Sequence, residues 1–218
     1  MNTIPPRALL LFTSFCLSVG SIAQDERPPR TVFDSLSVTG GFFNTTLRFA
    51  NVMQTDVLLM GFGAGAHIDH WLGVGVAGAF STSTIKNAAY EDYLLGRTTA
   101  DLDGLELRYG YGGVLFTPLI AHRSAVHLAV PVLVGVGGVA YSYPRSNSGS
   151  DSNQRNRTDG QAFFVVEPGV ELEVSVVGAL RIGVGGSYLY TSELDLPNTS
   201  PNLLRNFMAR MTISVGQF

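Results

Sequence analysis

The chain has 218 residues, a formal net charge of −3 and one cysteine, Cys16, which lies in the N-terminal apolar segment. The sequence after that segment therefore excludes disulfides and cysteine-ligated metals, and the absence of a basic patch mixed with aromatic residues excludes nucleic acid as a partner. Charged residues make up only 14% of the chain, below the usual quarter or so, and the mean hydropathy is +0.22. An apolar chain without a helical span is typical of a barrel whose apolar side chains face lipid.

The first 23 residues have the pattern of a secretory signal peptide. One cation, Arg7, precedes an apolar run that continues to Val19, and small residues then lead to Ala23. This run is shorter than the roughly 20 apolar residues that a transmembrane helix needs. We therefore expect cleavage after Ala23, export, and a polar, proline-bearing periplasmic tail over residues 24–34.

Eight later segments alternate with a period of two residues, as β-strands do. The phase slips at Gly40 and Gly41, and Pro131 removes a backbone donor from the fifth segment, so we expect an irregularity at each place. In most segments one face carries valine and leucine, and the other carries glycine, alanine or charged residues. The segments cover residues 35–49, 55–68, 71–82, 104–116, 124–143, 161–176, 180–192 and 204–218.

The connections between these segments also alternate in length. Those after the second, fourth and sixth segments are short, whereas those after the third, fifth and seventh are long and polar, at residues 83–103, 144–160 and 193–203. Short turns at one end and long loops at the other are typical of bacterial outer-membrane barrels. The patterns together predict an all-β fold, an eight-stranded antiparallel up-and-down transmembrane β-barrel over residues 35–218, with the long loops outside the cell.

The alternative fold is a soluble β-sandwich or a lipocalin-like barrel, with valine and leucine in its core. Eight strands leave an interior that side chains just fill. A face of glycine and alanine suits that interior better than it suits a face exposed to water, which favours the membrane barrel.

Strand phase places four cations and four anions on the inner face. Buried charges are tolerated when they are paired and hydrogen-bonded, so we expect a network of salt bridges that fills the interior. The alternative interpretation is a proton or ion path. The predicted network consists of Arg48, Glu106, Arg108, Glu167, Glu171, Glu173, Arg181 and Arg210.

The motifs do not indicate a catalytic, cofactor or metal site. Residues 73–78 match G-x-G-x-x-G, but a dinucleotide site needs a helix after that loop, and here the strand alternation continues. His67 and His70 could chelate a metal with Asp69, although interfacial histidines explain the pattern more simply. A lipid-modifying enzyme would need Ser or His beside a carboxylate at the outer rim, whereas all four histidines fall near the opposite rim.

Three segments of the sequence resemble a known family, the small bacterial proteins with an outer membrane protein β-barrel domain. Residues 60–75 read MGFGAGAHIDHWLGVG and resemble the second-to-third strand hairpin of that family. Residues 111–113, 127–128 and 135–137 resemble its central hairpin, and residues 167–174 with Phe218 resemble its closing strands. The resemblance covers about residues 35–218. It implies an eight-stranded outer-membrane barrel and, like the strand that ends the chain, suggests Phe218 as an insertion signal.

One departure from the family concerns that last residue. Phe218 is out of phase with Ile213 and Val215, so a bulge near Gly216 is needed to turn its ring to the lipid.

These observations predict a non-enzymatic integral protein of the outer membrane of a Gram-negative bacterium. We expect a structural or surface-interaction role through the extracellular loops. The expected partners are outer-membrane lipid, lipopolysaccharide, the barrel-insertion machinery and periplasmic chaperones, and no cofactor is expected. The alternatives are a narrow pore or ion pathway and a lipid-modifying outer-membrane enzyme.

Overall fold

The computed structural model describes residues 37–83, 85–95, 105–144 and 155–218. The predicted signal peptide (residues 1–23) and periplasmic tail (residues 24–34) lie outside these ranges. No helix among the described residues is long and apolar enough to cross a membrane. The elements are β1 (Val38–Val52), β2 (Thr55–Ile68), β3 (Leu72–Ser81), α1 (Ala88–Leu95), β4 (Glu106–Ile120), β5 (Val126–Ala129), β6 (Val132–Pro144), β7 (Arg155–Val177), β8 (Leu180–Thr191) and β9 (Asn206–Gly216).

The strands form one closed antiparallel ring. Each strand pairs with the next along the chain, with β5 and β6 together occupying one position between β4 and β7. The ring closes because β1 pairs with β9 from Phe42↔Gly216 to Ala50↔Met208. The predicted eight-stranded up-and-down transmembrane β-barrel is therefore confirmed, with the fifth strand in two pieces.

The two faces of the strands explain why the ring is stable in lipid rather than in water. Residues on the outer face are mostly large and apolar, and they remain exposed because no other part of the described chain covers them. An apolar band on the outside is the defining feature of a transmembrane barrel. Exposed outward residues include Phe43, Phe49, Phe62, Val76, Phe80, Val114, Phe116, Val134, Val136, Phe164, Val170, Leu172, Val174, Val184, Phe207, Met211, Ile213 and Val215.

Both predicted irregularities are present. The register of β1 against β2 shifts between Val38 and Gly40. The strand that contains Pro131 is interrupted at residues 130–131, because proline cannot donate to the ladder. The gap is bridged by Val130 N donating to Pro118 O at 3.0 Å and by Gly169 N donating to Pro131 O at 2.8 Å.

The barrel has a short-turn end and a long-loop end. Residues 69–71, 121–125 and 178–179 form the short turns, and the described residues 82–83, 85–95, 105 and 192–205 lie at the long-loop end. The first connection also lies at the long-loop end but is only a two-residue turn, with φ of 53° at Met53 and 60° at Gln54. Helix α1 in the 82–105 connection was not predicted.

The alternation of the fourth segment predicts its leucines and tyrosines on the lipid face and Glu106 and Arg108 on the inner face, and this predicted phase is wrong. Leu105, Leu107, Tyr109 and Tyr111 face inward and are buried, whereas Glu106 and Arg108 are on the outer face. The rule that apolar residues face lipid holds only within the bilayer. Near the long-loop end the interior is closed by connections, so its apolar side chains form a core there, as in a soluble protein.

The outward orientation of the apolar band can be tested with an arginine at two positions of nearly equal exposure. Val136 (58% exposed) lies midway along its strand, and Val177 (59% exposed) ends β7 at a short turn. We expect Val136→Arg to lower the free energy of unfolding in lipid vesicles by about 2–4 kcal/mol, because a cation at the bilayer midplane is poorly solvated.

The matched control, Val177→Arg, should cost only about 0–1 kcal/mol because it lies near the interface. Urea titration monitored by heat-modifiable migration on gels gives both values. Equal costs at the two positions would contradict the assigned membrane depth.

Candidate functional site: the charged interior and its two ends

The centre of the interior is organised around one carboxylate, that of Glu167 on β7, which is fully buried. Oε1 accepts hydrogen bonds from Arg48 Nε on β1 at 2.9 Å, from Ser187 Oγ on β8 at 2.9 Å and from Arg210 Nη1 on β9 at 3.3 Å. Oε2 accepts one from the hydroxyl of Tyr111 on β4 at 2.8 Å. A single side chain therefore links five strands of the barrel.

A second carboxylate extends this cluster toward the short-turn end. Glu171, on the same strand and the same inner face of β7, contacts Arg210 and accepts a hydrogen bond from Thr212 Oγ1 at 3.2 Å. Arg210 therefore lies between Glu167 and Glu171, which compensates the buried charges in both directions.

Glycines on the inner face make room for these long side chains. A Cβ atom at Gly61 would collide with Arg48 Nη1, and one at Gly183 would lie 2.9 Å from Glu171 Oε2. The sequence predicted small residues on the inner face. These residues leave the space that the charged side chains occupy.

Near the short-turn end, a third group of polar side chains lines the interior. His127 Nε2 and Glu173 Oε2 are 2.9 Å apart, and both side chains are buried. The guanidinium carbon of Arg181 lies 3.9 Å from the centroid of the Phe218 ring, a cation–π distance. The Phe218 ring also makes an edge contact with His67, with centroids 5.4 Å apart.

At the long-loop end, the interior is filled by apolar and aromatic side chains rather than by charge. Those from the strands meet others from the connections, such as Ile85 and Leu204, so strands and connections share one core. Its fully buried members, each less than 2% exposed, include Val52, Leu59, Ile85, Tyr90, Leu107, Tyr141, Leu189 and Leu204.

Helix α1 is attached to this core by two tyrosines and an asparagine. Tyr90 of α1 stacks on Tyr141 of β6 with ring centroids 3.7 Å apart and an interplanar angle of 10°. The buried Asn87 donates from Nδ2 to the Tyr141 hydroxyl at 2.7 Å, and its Oδ1 accepts from Tyr90 N at 3.3 Å as a helix cap. The Tyr141 hydroxyl also lies 2.8 Å from Thr199 Oγ1. We call α1 together with residues 192–205 the cap.

Six of the eight side chains predicted for the interior network are buried inside the barrel: Arg48, Glu167, Glu171, Glu173, Arg181 and Arg210. The placement of Glu106 and Arg108 in that network is wrong. The Arg108 side chain is 58% exposed and its Nη2 lies 2.9 Å from Glu106 Oε2, so the two charges pair with each other on the outer face.

The ring of Phe218 faces the interior rather than the lipid. It contacts His67 and Arg181, both of which are buried inside the barrel. The phase mismatch noted in the sequence therefore persists in the structure, and the role of Phe218 as an insertion signal stays a prediction.

Sequence reasoning missed the neutral partners of the charge cluster. Tyr111 and Ser187 both donate to Glu167, yet a tyrosine and a serine carry no charge pattern that would reveal this. The signal for Tyr111 was the alternation Leu105, Leu107, Tyr109, Tyr111, which was assigned to the wrong face. Within the described ranges, no three His, Cys, Asp or Glu side chains are grouped in a way that could hold a metal ion.

A closed eight-stranded ring with an apolar exterior and a filled, charged interior defines a small transmembrane β-barrel. Among solved structures, Neisserial surface protein A matches with a TM-score of 0.53 and 12% identity over 84% of this chain and 99% of that chain. A major outer membrane protein from Thermus thermophilus matches with a TM-score of 0.52 and 11% identity over 81% and 99%. The resemblance to small outer-membrane barrels is thus confirmed at the level of the fold. No protein-family model and no curated protein sequence matches the chain.

The contribution of the Glu167 carboxylate to the free energy of unfolding can be measured with two glutamine substitutions. Glu167→Gln leaves the buried guanidiniums of Arg48 and Arg210 without their shared counter-charge, so we expect a loss of about 3–5 kcal/mol in the free energy of unfolding. The control, Glu106→Gln, removes a carboxylate whose partner Arg108 is exposed to solvent, and it should cost at most about 1 kcal/mol. Urea unfolding in detergent micelles measures both, and a Glu167→Gln variant as stable as the control would refute the assigned role.

Attachment of the cap depends on the Tyr141 hydroxyl. Tyr141→Phe leaves the buried Asn87 amide without its short acceptor, which should weaken docking of α1 by about 1–3 kcal/mol. We expect faster amide hydrogen exchange in α1 and unchanged protection in β2 and β8. The control is Tyr190→Phe, on the lipid-facing side, which should leave α1 protection unaltered. Unchanged exchange in α1 of Tyr141→Phe would show that the stacked rings suffice.

Proposed function

We propose that this chain is an integral protein of the bacterial outer membrane, exported with a cleaved signal peptide, that acts without catalysis through the surface of its extracellular connections. The observation that carries the proposal is the cap, in which α1 and residues 192–205 pack on the barrel core at the long-loop end. An ordered surface at the outer end suits a structural or contact role.

The membrane assignment is supported by the apolar outer face. Phe164 and Phe207 are 73% and 81% exposed, an arrangement that water penalises and lipid favours. In this orientation the long-loop end faces outward and the short-turn end faces the periplasm. The cap then meets lipopolysaccharide, and the barrel wall meets lipid.

The filled interior favours this role over a pore. Within the described residues, an apolar layer closes the extracellular half, and paired charges around Glu167 occupy the middle. The lipid-modifying alternative has little support in the positions of the histidines. His67 and His127 are buried in the periplasmic half, and His70 and His122 lie in or next to its turns, far from the rim where a surface lipid would react.

The proposal is tested by altering the exposed charges of the cap. In cells that lack the gene, we expect the wild-type chain to restore envelope integrity, measured by leakage of a periplasmic enzyme, or adhesion of cells to surfaces. A variant with Asp92→Asn, Glu193→Gln and Asp195→Asn should fold, by heat-modifiable migration, but fail to restore that property. A control variant, Arg123→Gln in a periplasmic turn, should restore it fully.

Full restoration by the cap variant would count against a contact role for this surface. Failure of the periplasmic-turn control would instead indicate that the whole barrel, rather than its cap, supports the envelope.

The same filled interior predicts the electrical behaviour of the barrel. We expect no discrete conductance steps when the purified chain is reconstituted in planar bilayers, because ions would have to cross both the apolar layer and the paired charges. An open porin in the same bilayers is the positive control. Reproducible unitary steps would favour the pore alternative over the proposal made here.

A further inference from the structure

One arginine on the barrel wall makes no ion pair with any of the described residues. Arg205 lies just before β9, where its Nε donates to Thr191 O at 2.9 Å and its guanidinium carbon lies 4.5 Å from the centroid of the Tyr190 ring. The ion pairs within the described part of the chain do not include it. Its other N–H groups are neither buried nor hydrogen-bonded to the described chain, so they are available to an anion from outside.

This guanidinium lies on the outer face at the long-loop end. Arg205 precedes Phe207 by two residues, so the two side chains share the face that meets lipid, where Phe207 is 81% exposed. Tyr190, under the guanidinium, is 49% exposed on the same face. Tyrosine and arginine together are typical of the membrane–water interface. In the orientation proposed above, Arg205 is level with the headgroups of the outer leaflet.

Toward the bilayer centre from this arginine, the outer face has an apolar groove. Gly186 of β8 pairs with Val170 of β7, and because it has no side chain the wall is low at this position. Val130 and Pro168, beside the interrupted strand, and the ring of Phe207 complete the lining. These side chains are all apolar, so the groove suits a hydrocarbon chain better than a polar ligand.

The Phe207 ring separates this groove from a second one, which is lined by Phe49 and by Phe207 itself. The carboxylate on the second groove is that of Asp56. It accepts a hydrogen bond from Asn51 Nδ2 at 2.9 Å and makes no ion pair with Arg205. Two hydrocarbon chains that share one headgroup therefore fit on either side of Phe207, with the headgroup beside Arg205.

A third groove on the outer face differs in its charge. It is lined by Phe80, Gly138 and Arg108. The guanidinium of Arg108 is already paired, with its Nη2 2.9 Å from Glu106 Oε2. An anionic headgroup in this groove would therefore meet a carboxylate as well as a cation, which makes the groove a matched comparison for the one beside Arg205.

We propose that Arg205 and the two grooves beside Phe207 bind one molecule of lipid A, the phosphorylated and acylated anchor of lipopolysaccharide. Arg205 donates to a phosphate oxygen, as guanidinium groups do in phosphate sites. Tyr190 holds the guanidinium in position, and two acyl chains lie on either side of Phe207. The inference rests on the outer-membrane orientation proposed above, because lipid A occupies the outer leaflet.

The charge is tested with diphosphorylated lipid A as the probe and the full chain, purified from outer membranes, in detergent. Native mass spectrometry should show a saturable adduct of one lipid A per barrel. Arg205→Gln should raise the half-saturating concentration roughly tenfold, as the loss of a hydrogen bond to a charged group does. Arg108→Gln should bind as the wild type does. Equal affinities of the wild type and Arg205→Gln would overturn the proposal.

The groove is tested with a variant that keeps Arg205. A Cβ atom at Gly186 would come no closer than 3.4 Å to another atom, Met208 O, so Gly186→Leu fills the groove without a backbone clash. It should weaken lipid A binding several-fold. The control Gly138→Leu, where a Cβ atom has even more room, fills the groove beside Arg108 and should leave binding unchanged. Equal weakening by the two leucines would contradict the assigned grooves. Heat-modifiable migration checks that each variant folds.

Competition with phosphatidylglycerol distinguishes the two sources of a lipid phosphate. Its phosphodiester carries less charge than the phosphomonoesters of lipid A, so it should displace lipid A only when present in excess. Equal competition would replace lipid A by a general phospholipid site, and a lipid-free dimer would show that a second copy covers the grooves; either result overturns the proposal. Neither would affect the test of the cap, whose variants retain Arg205.

Discussion

The polar centre of this barrel depends on the carboxylate of Glu167. It receives hydrogen bonds from β1, β4, β8 and β9 while belonging to β7, so it contacts strands on both sides of the β1–β9 seam. Removing the partners of a buried charge is expensive, whereas a fully hydrogen-bonded cluster is stable in a low-dielectric interior. The absence of a side chain at Gly61 leaves the room that the guanidinium of Arg48 in this cluster occupies.

The interior consists of three layers with different chemistry. The half at the long-loop end is apolar and aromatic, the middle contains paired charges, and the half at the short-turn end contains histidines, Arg181 and a small cavity. Each layer is supported by a different part of the chain: the connections contribute to the first, the strands alone form the second, and Phe218 contacts the third.

Much of the fold was predictable because a lipid environment requires apolar residues at every second position of a strand. The bounds of β2, the shift near Gly40 and the interruption at Pro131 follow from alternation and from backbone chemistry. The inner side of β4 was not predictable from polarity alone, since Leu107 and Tyr109 lie beyond the lipid and pack against connections. Contacts such as Tyr90 on Tyr141 join residues about 50 positions apart, and no local pattern reports them.

The shared core at the long-loop end has a practical consequence for engineering. In many barrels the surface loops are replaced on the assumption that the strands do not depend on them. Here Ile85 and Leu204 are buried beside Leu107 and Leu59 from the wall. An epitope grafted in place of residues 82–105 would therefore expose apolar side chains of the strands to water. A foreign peptide displayed on this barrel must therefore be inserted away from the buried residues of the connections. Otherwise it must itself supply apolar side chains that cover the core.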